Sequence, residues 1–540
     1  MSIMVKRNAV ALAALLAAAP LAAHAQQQPS AMPRPIEGQA LQELDAWSVS
    51  ALSRANGALP ADLWSRSDPA FLAVLFDRLP ANFDSPATLA LARRVLFSGG
   101  DAPRGDAQAA ARKRFEALGR MGAADELGQM ADGSRSALAD PLIAQYAAQA
   151  ELARGRRQEA CARGRAASVG EQAPPFLLRL RAFCAAAAGD RAAADLALEL
   201  ASAQNAADAW YTGAVAAAAG APGARPPAAR YDNSLTAQLS LAGNLRPGPN
   251  PLTNASTMAL LALARADNAP QPQRAQAAWT AFRRGALTAQ ETRTILAATP
   301  AEITSALPAA ATALRQVSAG PGSLDAATAI AGVLRAATTP ADFYAAARFF
   351  KDDIAALQSA PDQASALQFA RAAIITGDAA LAQRLLASAR QGGVDEAALA
   401  PLDAALSILS GARGDQATIA MKRRIDAAGS SLARAAARDV AIMAALGAPV
   451  DGQVQAFLLA NPPQGGARAE SGAMLALTAA TERGASGEGA LLAAAAAGEA
   501  GPARLDAESV ERIIRALRAL GLQDDARRIA VEALLAGAPG

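Results

Sequence analysis

Histidine is all but missing from this sequence: His24 is the single one in 540 residues. It also falls in a segment that is not expected to persist. Lys6 and Arg7, the apolar run Ala9 to Ala19 and the small-residue site Ala23-His24-Ala25 have the three-part order of a secretory signal peptide. Residues 1–25 are therefore read as cleaved, with the mature chain starting at Gln26. A chain without histidine cannot run Ser-His-Asp or Cys-His catalysis, hold zinc through imidazole or ligate haem through it. The sequence also lacks a G-x-x-x-x-G-K-[ST] phosphate loop, a G-x-S-x-G elbow, and a serine three positions before any of its four lysines. Long hydrophobic runs are lacking too. The apolar stretch of the leader is shorter than the ~20 residues a spanning helix needs, so no transmembrane segment is expected after cleavage. Nor is charge of one sign in excess: without Lys6 and Arg7 the 51 basic residues become 49, against 48 acidic. Such balance gives no concentrated field for nucleic acid or an anionic membrane. No cofactor, metal site or catalytic residue is expected.

What is abundant is alanine, at 156 residues, while aromatic residues make up only 4%. Alanine has the best helix propensity and lets helices approach closely. The Val, Ile, Tyr and Thr alternation of strands is nowhere sustained, so the chain reads as all-α. Arginine outnumbers lysine 47 to 4, a bias of GC-rich coding DNA and hence of a bacterial source, for which export means the periplasm. About 515 mature residues exceed what one core organises, leaving two to four domains or one elongated repeat array.

Along the chain, residues 26–38 (QQQPSAMPRPIEG) are Pro- and Gln-rich and read as a disordered leader. A helical half follows at 39–219. In it Phe71, Leu72, Leu75, Phe76 and Leu79 form one helical stripe, and Ser85-Pro86 supplies an N-cap and first-turn proline. A hairpin turning at Gly119 or Gly122 comes next. Residues 139–203 then hold two clear hairpins, turning at Gly155 and Gly189, 34 positions apart, and read as the stretch around which the chain is organised. Residues 220–254, dense in proline, read as a connection with a short helix at Leu235 to Leu241, or as an ordered loop lining a groove. A second helical half occupies 255–540, with turns at Gly377, Gly411 and Gly521 and a last hairpin that caps the array.

Several units share a turn glycine, an alanine five positions on and another seven beyond that. They are Gly155, Ala160, Ala167; Gly189, Ala194, Ala201; Gly377, Ala382, Ala389; and Gly521, Ala526, Ala533. Gly189-Asp190 and Gly377-Asp378 add a Gly-Asp turn, preceded by the small residues Ala182 and Ala370. In these residues the chain resembles tetratricopeptide-repeat proteins, in degenerate form. Leu178 and Ala366 stand at the Trp position of that family, Ala185 and Ala373 at its Tyr, and Ala206 where a proline usually ends the repeat. The resemblance implies an α-solenoid of stacked helix hairpins in two halves, with the alanines where paired helices touch. It implies no particular ligand mode.

Cys161 and Cys184 are expected on consecutive helices, Arg157 to Ala167 and Pro175 to Ala188, that fold back about Glu171 and bring the two level. A disulfide is feasible there in an exported protein, and two buried thiols are the alternative. Glu470-Ser471 and Gly472-Ala473-Met474 are similar to fragments of lytic transglycosylases, but here they are fused with no intervening segment, so they read as a solvated helix start. Asp352-Asp353 and Asp524-Asp525 read as surface and N-cap charge, Lys422, Arg423 and Arg424 as one solvated face, and Trp47, Trp64, Trp210 and Trp279 as core. The function expected is an exported, non-enzymatic scaffold or adaptor for a protein or peptide partner in the cell envelope. The alternatives are a peptidoglycan-associated protein or a structural spacer. Sequencing the amino terminus of the exported form is expected to read from Gln26; a start before Leu21 would overturn the cleavage assignment.

Overall fold

Many helices in this protein begin on a short polar side chain, and many are followed by a left-handed residue. The computed structural model describes residues 44–167, 173–303, 307–463 and 465–535; among these the chain forms 28 α-helices, numbered here in chain order, and no strand. The expected signal peptide and leader lie outside the described residues. Ser85, Asp140, Asp190, Asp208, Asn233, Asp378 and Asp506 each accept a backbone N–H from the first turn of the following helix, which satisfies a donor that the helix itself cannot. At the far ends one pair of bonds recurs. The Gly155 N–H donates to Leu152 (3.1 Å) and the Arg156 N–H to Glu151 (2.8 Å), with Gly155 at φ +76°. This closure needs a left-handed residue after the helix, which glycine adopts without the Cβ penalty. The same bonds recur around Gly122, Gly189, Gly285, Gly377, Gly411, Gly447 and Gly521, with Asn205 and Asn244 taking the glycine's place in two others.

The result is an all-α solenoid of hairpins. Across the turns pair α6 (Pro141–Ala153) with α7 (Arg157–Ala167), α8 (Pro175–Ala187) with α9 (Arg191–Ala203), α19 (Gln363–Ile375) with α20 (Ala379–Gln391), and α27 (Ala507–Ala519) with α28 (Gln523–Leu535). Ala160, Ala194, Ala382 and Ala526, five positions after their turn glycines, are completely buried. The stripe and N-cap read near the start fall in α1 (Pro69–Arg78) and α2 (Pro86–Phe97). Within 220–254 lies α11 (Ser234–Ala242), packed on α6, α8 and α12 (Thr257–Ala264).

Two expectations are corrected. Residues 139–203 do not organise the chain. With α10 (Ala209–Ala218) and α11 they build a smaller core around Leu152, Leu180, Phe183, Tyr211 and Leu239, while Ile143, Ala147, Ala150 and Ala153 of α6 join the main core, which runs from Trp47 to Leu535. Nor does the last hairpin cap an open end. Helix α28 is sunk among α2, α19, α21 (Glu396–Leu409), α23 (Ala433–Ala445) and α27. Its sequence explains this: Ala526, Ala530 and Ala533 allow close approach, while Ile529, Val531, Leu534 and Leu535 carry apolar surface beyond a single stripe, and all are buried.

The burial of α28 brings the two ends of the solenoid together. Glu532 accepts hydrogen bonds from the Ser85 hydroxyl and the Ala87 N–H (2.6 Å) at the start of α2, and Arg94 donates to Asp525 at 2.5 Å. Helix α2 also packs on α26 (Ser486–Ala497). Near the same seam the buried Arg114 guanidinium donates to the carbonyls of Ala46, Trp47, Val49, Leu96 and Ser98, pinning the segment before α1.

Burial pushes the Glu532 carboxyl up to about 7, against the pull of its two hydrogen bonds and of Arg348. Burial raises Asp403, Asp439, Glu488 and Asp525 as well. Above the ordinary glutamate value of 4.5, the folded protein still holds a proton that the unfolded chain has released. Stability therefore falls as pH rises toward 7. The denaturation midpoint, followed by far-ultraviolet circular dichroism, is expected to drop between about pH 5 and pH 7.5. Glu532→Gln, whose oxygen can accept the Ala87 N–H while its amide nitrogen donates to the Ser85 hydroxyl oxygen, does not titrate and should remove on the order of 3 kcal/mol of that drop. An unchanged pH profile in the variant would contradict the assignment.

Candidate functional site

Three hairpin ends converge beside α28. The turn from α21 to α22 (Asp415–Asp426), the carboxyl end of α23 and the end of α27 enclose a cavity of ≈590 Å³ with Ile408, Ala417, Met443 and Leu446 as apolar walls. Four guanidinium side chains, Arg413, Arg515, Arg518 and Arg527, line it together with no acidic residue. A second cavity of ≈390 Å³ adjoins it through Arg527, between Pro86 and Ala90 of α2, Ile375 and Gly377 of the α19 turn, Leu409, and Arg528 and Val531 of α28. Glu532 also borders this second space, but it is engaged inward with Ser85 and Ala87.

Each arginine is held differently. Arg518 donates to the Ala445 carbonyl at 2.6 Å, at the last residue of α23. It lies against Gly447, where a Cβ would stand 2.6 Å from its Nη2, and Gly447 itself turns at φ +94°. Only glycine at 447 serves both the turn and the guanidinium. Arg515 pairs with Glu511 (2.7 Å) and Arg527 with Asp524 (3.2 Å) along their own helices; exposed pairs of this kind contribute about 0–1 kcal/mol and exchange readily. Arg413, exposed on the short loop between Gly411 and Gly414, has no hydrogen-bond or ion-pair partner among the described residues.

Helix polarity accounts for part of this accumulation. The carboxyl ends of α21, α23 and α27 all reach the first cavity, each presenting roughly half a negative charge. Three such half-charges offset fewer than two guanidinium groups. The remaining positive potential over apolar walls suits an anionic ligand with apolar parts.

The sequence-derived positions separate into two places. Gly377 and Gly411 line the paired cavities, and Gly521 sits between Ala519 and Gln523, which line the first. Gly155 and Gly189 belong to the smaller amino-terminal core, where Cys161 and Cys184 are joined as a disulfide between α7 and α8, with Cα atoms 5.8 Å apart. Glu470 immediately precedes α25 (Ser471–Arg483), is exposed and pairs with Arg78 at 2.9 Å.

Several charges and rings lie where the sequence reading did not place them. Arg424 is buried and paired with the buried Asp439 at 2.7 Å, while Lys422 faces out to Asp451. Asp525 is buried against Arg94, Asp524 is exposed, and Asp353 pairs with Arg293 at 2.6 Å. The reason is geometric: neighbouring helical residues point about 100° apart, so consecutive charges cannot share one solvated face. Trp47 and Trp64 are core. Trp210 and Trp279 are only half-buried, the first carrying Arg230 over its ring at 5.0 Å.

The arginine-lined cavity was not anticipated. Its signal is the gathering of Arg413, Arg515, Arg518 and Arg527 within six positions of Gly411 or Gly521, but nothing local says that those two turns meet. No helix of the described residues is long and apolar enough to cross a membrane, and no three metal-ligating side chains are grouped among them. No protein-family model matches the chain, and neither a curated protein nor a solved structure shows significant similarity to it.

The disulfide spans 23 positions, a loop whose closure contributes about 3 kcal/mol in the chain-entropy model. Thiol titration of unreduced, denatured protein should find no free cysteine. Because the bond lies in the smaller core, dithiothreitol should speed hydrogen exchange in α7, α8 and α9 and leave α28 protected. Equal acceleration in both would show that the two cores are not separable.

Proposed function

We propose that this protein is an exported, non-enzymatic scaffold or adaptor of the cell envelope, tetratricopeptide-like in the pairing of its hairpins, that holds a protein or peptide partner in the periplasm. The observation that carries the reading is the pair of adjoining cavities along the hairpin turns, sharing Arg527 and walled by apolar side chains. An extended segment rises ~3.3 Å per residue and alternates its side chains, so it can occupy both spaces at once, whereas a compact substrate would use one. Peptide capture across several repeats is a general use of stacked hairpins. The side chains lining the two cavities are arginines, small, polar and apolar residues and two carboxyls, Glu532 turned inward to Ser85 and Ala87 and Asp524 paired with Arg527. They hold no nucleophile beside a general base of the kind that acyl or glycosyl transfer requires.

The test is photo-crosslinking in intact cells. A photoreactive residue at Ala412 or Ala519, both lining the first cavity, is expected to capture a discrete envelope protein. The same residue at Leu196, exposed on α9, should not. Absence of adducts from Ala412 and Ala519, with binding of the purified protein to isolated peptidoglycan, would replace this reading with a carbohydrate-facing one.

A further inference from the structure

Resting on the scaffold reading, we infer that the segment held along these turns is acidic, with apolar residues interleaved among its carboxylates. Arg413, Arg515, Arg518 and Arg527 line the first cavity, and Arg528 adds a fifth guanidinium along the second. The carboxylates bordering the same path are Asp524, exposed and paired with Arg527, and Glu532, which is buried and committed to Ser85 and Ala87. Counting also Glu511, paired with Arg515, and Asp525, paired with Arg528, five cations meet three ion-pair partners, and Arg413 and Arg518 have no carboxylate partner among the described residues; this is a local excess in a chain of 51 basic and 48 acidic residues.

Arginine is suited to this task. Its planar fork takes a carboxylate through two parallel N–H donors, and its weak hydration lowers the cost of removing water from the pair. The guanidinium groups are also available. Arg413 has no partner among the described residues, and Arg515 and Arg527 are tied only to neighbours on their own helices. Arg518 already spends one nitrogen on Ala445 and is fixed over Gly447, so it serves as the positioned member of the set. Between the cations, Ile408, Met443 and Leu446 in one cavity and Ile375, Leu409 and Val531 in the other offer apolar contact. A uniformly acidic polymer would leave those walls unused.

Helix polarity sharpens the expected effect of removing charge. The three helix ends at the first cavity repel an anion once the arginines no longer outweigh them. Loss of two of the four arginines therefore leaves the remaining two nearly offset by the helix ends, so most of the attraction for an anion goes as well as two contacts.

The experiment uses the full mature chain and fluorescence anisotropy. The probe is a fluorescein-labelled ten-residue peptide of alternating Glu and Leu with an amidated end, compared with its Gln and Leu counterpart. The acidic peptide is expected to bind at least tenfold more tightly than the amide peptide, and to weaken about tenfold when salt rises from about 50 to about 300 mM, as screening of several pairs requires. The Arg413→Ala, Arg515→Ala double variant should lose at least tenfold. Arg191→Ala, on exposed α9, should not change binding, and circular dichroism will report whether each variant is folded. Equal binding of the two peptides, or acidic binding unchanged in a folded double variant, overturns the inference. Crosslinks at Ala412 and Ala519 without acidic-peptide binding would overturn this inference alone and leave the scaffold reading standing. Acidic-peptide binding without those crosslinks would do the reverse.

Discussion

The carboxyl of Glu532, buried where α28 meets α2, is the contact on which the closed arrangement turns. A carboxyl group removed from water is costly unless its lone pairs are met, and here they are met by a hydroxyl and a backbone N–H at the start of a helix 447 and 445 positions away. The same Ser85 hydroxyl accepts the Thr88 N–H as the N-cap of α2. One residue thus begins α2 and anchors α28. With Arg94 and Asp525 alongside, the seam is polar and directional, so it fixes the register of α28 against α2 in a way that alanine contacts alone would not.

Fixing α28 also fixes the turns around it. The hairpins reaching it from α19, α21, α23 and α27 end close together because each pairs through small residues, and arginines collect where their carboxyl ends meet. In this way a core decision and a surface property share one cause. The arginine-lined cavities are open because turns, unlike helix faces, do not interlock. They are positive because helix ends attract cations and more of them are present than the helix ends can neutralise.

Much of the local structure was legible in the sequence. Ser85-Pro86, Asp190 and Asp378 announce helix starts, and Gly155, Gly189, Gly377, Gly411 and Gly521 mark ends, because caps and left-handed turns depend on a few adjacent residues. Of the alanines that follow Gly155, Gly189, Gly377 and Gly521 in that pattern, Ala160, Ala194, Ala201, Ala382, Ala389, Ala526 and Ala533 are buried and Ala167 is half-buried. What the sequence withheld was long-range. Arg424 and Asp439 are 15 positions apart, and Arg94 and Asp525 431; neither pairing leaves a mark in the residues between. An alanine-rich helix such as α28 gives few large side chains from which to tell an end cap from a centre. The candidate site was hidden for the same reason, since it belongs to turns whose proximity is decided by α28.

An open repeat array can nucleate anywhere and extend one unit at a time, each hairpin completed by its neighbour. The seam between α2 and α28 denies this chain that route. Helix α2 cannot reach its final partners until residues some 440 positions later exist and have folded, so the mean separation of native contacts is raised and the search for them lengthened. During that interval the surface of α2 that packs on α26 and α28 has no cover of its own. The architecture therefore exchanges the stepwise assembly of a solenoid for the all-or-none completion of a closed one.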